Sequence, residues 1–208
     1  MIRFIFIDLM NTILESDKTI NKILNLKTLK KIFVDSKIPL NVGDQKGIKD
    51  LLKYPGNKQK FISNLLNKLK YIPTKKQRKD VFKKMWNEYY NNLILKKGVK
   101  TFLEYCNKNG IKIILISDSN RKRVKRVIIK TNINHHFNIV IASDKRIDSK
   151  QTLKPFKKAL RLTKSHPKDC LMIGDEEKDK LCKRIGIPFI DIKKTSFESI
   201  QKNLKKLS

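Results

Sequence analysis

Residues 2–12 read IRFIFIDLMNT, and the fold turns on this stretch. Its first six residues form a short, nearly unbroken apolar run that stops at Asp8, the pattern of a strand buried on both faces. Similar runs recur far downstream at 111–117 (IKIILIS), 138–142 (NIVIA) and 170–174 (CLMIG), with a fifth at 188–192. Between them, segments of helical period occupy 99–109, 121–131, 155–163 and 179–185. In the first of these, Val99, Phe102, Leu103 and Cys106 stand at i, i+3, i+4 and i+7, one face of a helix. Strands alternating with helices predict an α/β fold, a Rossmann-like parallel sheet covered by helices on both faces.

Residues 15–96 break the rhythm. They hold no convincing strand, only helical patterns near 19–34, 47–53, 58–70 and 77–95, punctuated by Pro39, the Tyr54-Pro55-Gly56 turn and Pro73. The reading is an inserted all-helical cap at 15–96, with 1–14 and 97–208 forming the α/β core.

The 208 residues carry 49 Lys+Arg against 19 Asp+Glu, a formal charge of +30. Dense recurrence of Ile, Leu, Val and Phe excludes a disordered basic tail. The longest apolar stretches, such as 113–116, fall far short of the ~20 residues that a bilayer helix needs, so no membrane partner is expected. The basic residues are 41 Lys and 8 Arg, spread over both parts: net +13 in 15–96 and net +17 in the remainder. That lysine skew is what an A+T-rich coding sequence produces, whereas readers of phosphates and bases lean on Arg forks. The charge still favours anionic ligands in general. Cys106, Cys170 and Cys182 form no C-x-x-C pair, which argues against disulfides or a thiolate zinc site and for buried thiols in a cytoplasmic setting.

In open parallel sheets, ligands bind beyond the carboxyl ends of the strands. The residues after each expected strand are Asp8 to Thr12, Ser117 to Asn120, Lys150, and Gly174 to Asp179. Carboxylates, a hydroxyl and a lysine on one edge suit a divalent cation and a phosphoryl group held together.

On these residues the chain resembles the haloacid dehalogenase-like (HAD) superfamily of hydrolases, with a helical cap between the first and second motifs. An apolar strand followed by D-x-D-x-T is matched by Asp8 and Thr12, and a strand ending in Ser or Thr by Ser117. A strand ending in G-D-x-x-x-D is matched by Gly174, Asp175 and Asp179. Lys154-Pro155 and Lys150 compete for the third-motif lysine. Lys150 is preferred, because it stands nine residues before Ala159 and 25 before Asp175, the family's usual spacings.

The resemblance implies a Mg²⁺-dependent phosphohydrolase of a small phosphorylated metabolite. Asp8 would attack phosphorus to give an aspartyl-phosphate. The cation would be held by Asp8, the backbone carbonyl of Met10, Asp175 and Asp179. Thr12, Ser117 and Lys150 would bind the phosphoryl group, Lys150 also bridging to Asp8. One position departs from the pattern. Met10 stands where the family has a second aspartate, the residue that protonates the leaving group and activates water. Three readings accommodate it: good leaving groups or an acid borrowed from Glu15, Asp17 or Asp44; chemistry other than phosphatase; or a weakened member acting as a binding protein for RNA or a ribonucleoprotein.

The remaining residues carry blander expectations. Asn11 tolerates a left-handed turn, Asp118 is a turn or cap residue, and His135, His136 and His166 are surface or loop histidines. The run Arg121, Lys122, Arg123, Lys125 and Arg126 is the densest basic cluster. With Val124, Val127 and Ile128 on the buried face of a helix, it is the best candidate for an extended anion such as RNA. Trp86, Tyr89 and Tyr90 are expected to pack rather than to stack on bases.

Overall fold

The computed structural model describes residues 1–41, 71–143 and 149–207, together with positions 44, 48, 63–67 and 69. Its strands are β1 (Phe4–Ile7), β2 (Lys112–Ser117), β3 (Ile139–Ala142), β4 (Cys170–Gly174) and β5 (Phe189–Asp191). They pair in parallel in the order β3-β2-β1-β4-β5. The sheet therefore winds outward from a central β1 in both directions. The switch between β1 and β4 opens the crevice at their carboxyl ends, where register sets Ile7 beside both Leu115 and Ile173.

Side chains alternate across the pleat. Phe6, Ile114, Ile116 and Met172 join Phe156 and Ala159 of helix Lys154–Thr163 in one buried layer. Ile5, Ile7, Ile113 and Leu115 point the other way and are equally buried. Helix Val99–Lys108 buries the four residues expected of it, and packs against β2 and against helix Phe197–Leu207. Within that contact the Phe102 and Phe197 rings lie 5.1 Å apart. Each fully buried side chain of this kind contributes about 1.5–3 kcal/mol.

Some boundaries differ from expectation. β1 runs from Phe4, and the ladder reaches back to Arg3, whose N–H donates to Asp169 O at 2.8 Å and whose O accepts the Lys112 N–H at 3.0 Å. The expected helix at 179–185 is a short α-helix, Glu177–Lys180, followed by a 3₁₀ segment, Leu181–Ile185. It begins earlier because Glu176 and Asp179 form a reciprocal capping box. The C-terminal helix Phe197–Leu207 lies beyond the elements read from the sequence, although Phe197, Ile200 and Leu204 give it a buried face.

The chain divides into two compact units, Met1–Ser16 with Leu93–Ser208, and Asp17–Asn92. The division falls inside 15–96 because backbone bonds Glu15 N–H to Ile94 O and Lys96 N–H to Ile13 O, both 2.8 Å, tie the stem of the insertion to the first unit.

In the second unit the pattern at 19–34 resolves into two helices, Ser16–Ile23 and Leu26–Asp35. Asn25 interrupts it as an N-cap, accepting the Thr28 N–H at 2.9 Å. Helix Lys75–Asn91 starts at a Thr74/Gln77 capping box and buries Val81, Met85, Tyr89 and Tyr90. Tyr89 stands edge-on to both Trp86 and Tyr90 at 5.6 Å, so these rings pack together as expected. Lys84 ties this helix to the end of helix Leu26–Asp35, donating to Asp35 O and to Ser36 Oγ. The expected helices at 47–53 and 58–70 and the Tyr54-Pro55-Gly56 turn lie mostly or wholly outside the described residues. Position 48 and residues 63–67 are helical.

Candidate active site

The site is assembled by the turns that leave β1, β2 and β4. Asp8 continues β1 and donates its N–H to Ile173 O at 3.0 Å, which fixes it against the end of β4. Asn11 then takes φ 55°, a left-handed turn that Asn tolerates. The turn delivers Thr12 into the interior, where its hydroxyl donates to Asp175 Oδ1 at 3.1 Å.

Asp179 is fully buried and serves both sides of the site. Its Oδ2 accepts the N–H groups of Asp175 (3.2 Å) and Glu176 (3.1 Å), holding the turn after β4. Its Oδ1 lies 2.6 Å from Lys150 Nζ, and the same ammonium reaches Asp8 Oδ1 at 2.5 Å. Lys150 is 1% exposed. Its ammonium lies between Asp8 and Asp179, whereas Lys154 opens the next helix.

The backbone of Lys150 is anchored as well. Its N–H donates to Asp118 Oδ1 at 2.7 Å, and Asp118 Oδ2 pairs with Lys178 Nζ at 3.0 Å. Lys178 also meets Glu176 at 2.6 Å. Asp118 is thus a cap, but of a turn 32 residues away rather than of its own.

Electrostatics follow from burial. Burial pushes the Asp8 carboxyl up, and the neighbouring Asp179 adds to this against the pull of Lys150. Burial acts downward on Lys150, but the Asp8 and Asp179 carboxylates outweigh it and hold the ammonium charged. Asp175 is raised by burial, against the Thr12 hydrogen bond and Lys193.

Asp8, Asp175 and Asp179 each offer an oxygen within 4.8 Å of the others, all three buried. Three carboxylates around one fully buried ammonium leave negative charge in excess, and hard oxygen donors fit Mg²⁺. Ser117 ends β2 on the same edge, buried, its Oγ accepting the Ser119 N–H at 3.2 Å. Met10 is half-buried, its Sδ taking the Ser16 hydroxyl at 3.8 Å.

Helix Arg121–Lys130 starts at the Asn120 N-cap and buries Val124, Val127 and Ile128 as expected. Arg121, Lys122, Lys125 and Arg126 are exposed, and Arg123 is half-buried.

The sequence signature of the haloacid dehalogenase-like hydrolases matches residues 2–181. The chain belongs to this family. Among HAD relatives it is 26% identical to a phosphoglycolate phosphatase of Aquifex aeolicus, over 85% of this chain and 78% of that protein. A second relative, named as a candidate pyrophosphatase of Caldanaerobacter subterraneus, is 28% identical over 52% of this chain and 50% of its own length. A solved hydrolase of Streptococcus pneumoniae shares the fold at TM-score 0.64 and 19% identity, covering 98% of each chain. A HAD-superfamily hydrolase of Geobacter sulfurreducens does so at TM-score 0.63 and 17% identity, over 91% of this chain and 86% of that one.

Among the described residues, Lys193, Lys178 and Ser16 join the HAD site without having been singled out from the sequence. Lys193 follows β5, its Nζ 2.6 Å from Asp175 O and 3.4 Å from Asp175 Oδ2. The rule that flagged the ends of the other strands would have found it. Lys178 lies inside the G-D-x-x-x-D turn, at a position the motif leaves open. Ser16 has no motif signal at all. One further expectation fails: His136 is buried, its Nδ1 2.9 Å from Asn107 Nδ2, because a 3₁₀ turn before β3 folds the ring inward.

Proposed function

We propose that this HAD hydrolase is a Mg²⁺-dependent phosphohydrolase of small phosphorylated metabolites, working through an aspartyl-phosphate on Asp8. The observation that carries it is the bridge from Asp8 through Lys150 to Asp179. A carboxylate kept buried, aimed past a strand end and paired with a fixed ammonium is a nucleophile relieved of part of its repulsion for phosphate.

Mg²⁺ held by Asp8, Asp175, Asp179 and the Met10 carbonyl would supply charge neutralisation at the phosphoryl oxygens. Asp8 attacks phosphorus. Lys150, Ser117 and Thr12 orient and neutralise the transferring group, and water then releases phosphate from Asp8. The inserted unit Asp17–Asn92 acts as the cap that selects the substrate. The three free, buried thiols suit a reducing, cytoplasmic setting. The phosphatase names among the relatives support the reaction class.

The test is turnover of p-nitrophenyl phosphate and acetyl phosphate with Mg²⁺. Asp8→Asn should abolish it, and failure on every phosphoryl donor would refute the reading.

A second reading rests on a separate observation. Helix Arg121–Lys130 has no acid in its first turn and exposes Arg121, Lys122, Lys125 and Arg126. On that reading the chain binds RNA or a ribonucleoprotein surface, with affinity that falls steeply with salt and is indifferent to Asp8→Asn.

A further inference from the structure

Cleaving an alkyl phosphate requires a proton for the departing alkoxide. A positioned acid of suitable pKa gives about 10²–10⁴-fold in rate. Among the described residues, the groups joined to Asp8 offer none. The Lys150 Nζ is engaged by two carboxylates, those of Asp8 and Asp179. Asp179 spends its oxygens on Lys150 and two backbone N–H groups, and Asp175 Oδ1 accepts from Thr12.

Histidine, the usual neutral-pH acid, is absent from this edge. The chain has three. His135 and His136 enter β3, and His166 enters β4, all from the amino ends of the strands. Two residues past Asp8 stands Met10, whose thioether receives the Ser16 hydroxyl and has no proton to give.

Resting on the phosphohydrolase reading above, we infer that the substrate is a phosphoric anhydride, an acyl phosphate or a diphosphate. Its leaving oxygen departs as a stable anion. The Asp8 carboxylate forms a bond to phosphorus as the bond to the bridging oxygen breaks, and that oxygen leaves with the electron pair and no proton. Water then attacks the aspartyl-phosphate, its two hydrogens leaving with the phosphate as dihydrogen phosphate, and the Asp8 carboxylate is restored. The first step calls on no protein acid, and the second, which is the same for every substrate, proceeds without a side-chain base at position 10. Alkyl monoesters, including the phosphoglycolate in the name of the Aquifex aeolicus relative, fall outside the class.

The experiment compares acetyl phosphate and inorganic pyrophosphate with glycerol phosphate and phosphoglycolate, in the wild type and in Met10→Asp. The wild-type kcat/KM, which reports the first phosphoryl transfer, should be about 10²–10⁴-fold higher for the anhydrides than for the esters, and Met10→Asp should narrow that gap by raising the value for the esters. Comparable wild-type kcat/KM on both classes overturns the inference, as does a folded Met10→Asp that leaves the gap unchanged. Should Met10→Asp not fold, a series of aryl phosphates of graded leaving-group acidity decides. A steep dependence in the wild type is expected, and a flat one overturns the inference. No turnover of any donor, with no phosphoryl mass on Asp8 in the intact protein, would instead remove the phosphohydrolase reading itself.

Discussion

Gly174 and Asp179 stand so close that a Cβ at position 174 would lie 2.4 Å from Asp179 Oδ2 and 2.6 Å from its Cβ. Glycine is required here for room, since the carboxylate that fastens the turn and meets Lys150 passes directly over the end of β4. Gly174→Ala should push Asp179 off Lys150, costing about 1–3 kcal/mol by overpacking. Urea unfolding would register the loss of stability, and Mg²⁺ titration the loss of the site.

Mg²⁺ should stabilise the folded chain even without substrate. At a hundred times its dissociation constant, a ligand bound only by the native state adds about 2.7 kcal/mol. Thermal unfolding with and without Mg²⁺ should show this gain in the wild type and lose most of it in Asp175→Asn. An equal gain in both would place the cation elsewhere.

Asp118 holds the backbone of Lys150, its Oδ1 accepting the Lys150 N–H at 2.7 Å. Asp118→Ala strips the acceptor from the Lys150 N–H and should lower kcat by up to about 10²-fold with KM little changed, as misplaced groups do. Asp118→Asn keeps an oxygen for that N–H and loses only the Lys178 pair, so it should be far milder. Equal losses in the two variants would assign the effect to the ion pair instead.

Burial pushes the Cys106 and Cys182 thiols up to about 12. At neutral pH they carry almost no thiolate, the reactive form. Iodoacetamide should leave both unmodified in the native protein and label them fully in denaturant, read by peptide mass mapping. Rapid native labelling would show that the core opens around them.

His136 is held below its ordinary 6.5, first by burial, then by His135 and Lys100, with Glu104 opposing. The unfolded ring takes up a proton near 6.5 while the folded one resists, so stability should fall as pH drops below 6.5. His136→Gln should flatten the dependence of the unfolding midpoint on pH below 6.5. An unchanged slope would assign it to other groups.

The strands were legible because a buried parallel strand is a nearly continuous apolar run, and each one ends at a polar residue that the sheet then gathers on one edge. Asp8, Lys150, Asp175 and Asp179 were found by that logic and by motif spacing together. Counting preferred Lys150 to Lys154, and the Lys150 ammonium lies between Asp8 and Asp179. Asp118 to Lys150 was invisible, since a side chain capping a turn 32 residues away leaves no local pattern. His136 was misjudged because its neighbours are polar while the ring itself turns toward Asn107. The C-terminal helix was overlooked for lack of a strand after it to complete the alternation.

The central position of β1 has a consequence for how the protein is made. Phe4 pairs with Lys112 on one side and Cys170 on the other. Asp8 waits for Lys150 across 142 positions, and Thr12 for Asp175 across 163. A ribosome must therefore release about half of the chain before β1 gains its first neighbour, β2, and most of it before β4 arrives on the other side, leaving an aggregation-prone apolar segment exposed at the stage when chaperones engage nascent proteins. Asp8 meets Lys150 and Thr12 meets Asp175 only across those separations, so molecules in which β4 has not joined the sheet should be catalytically silent rather than partly active.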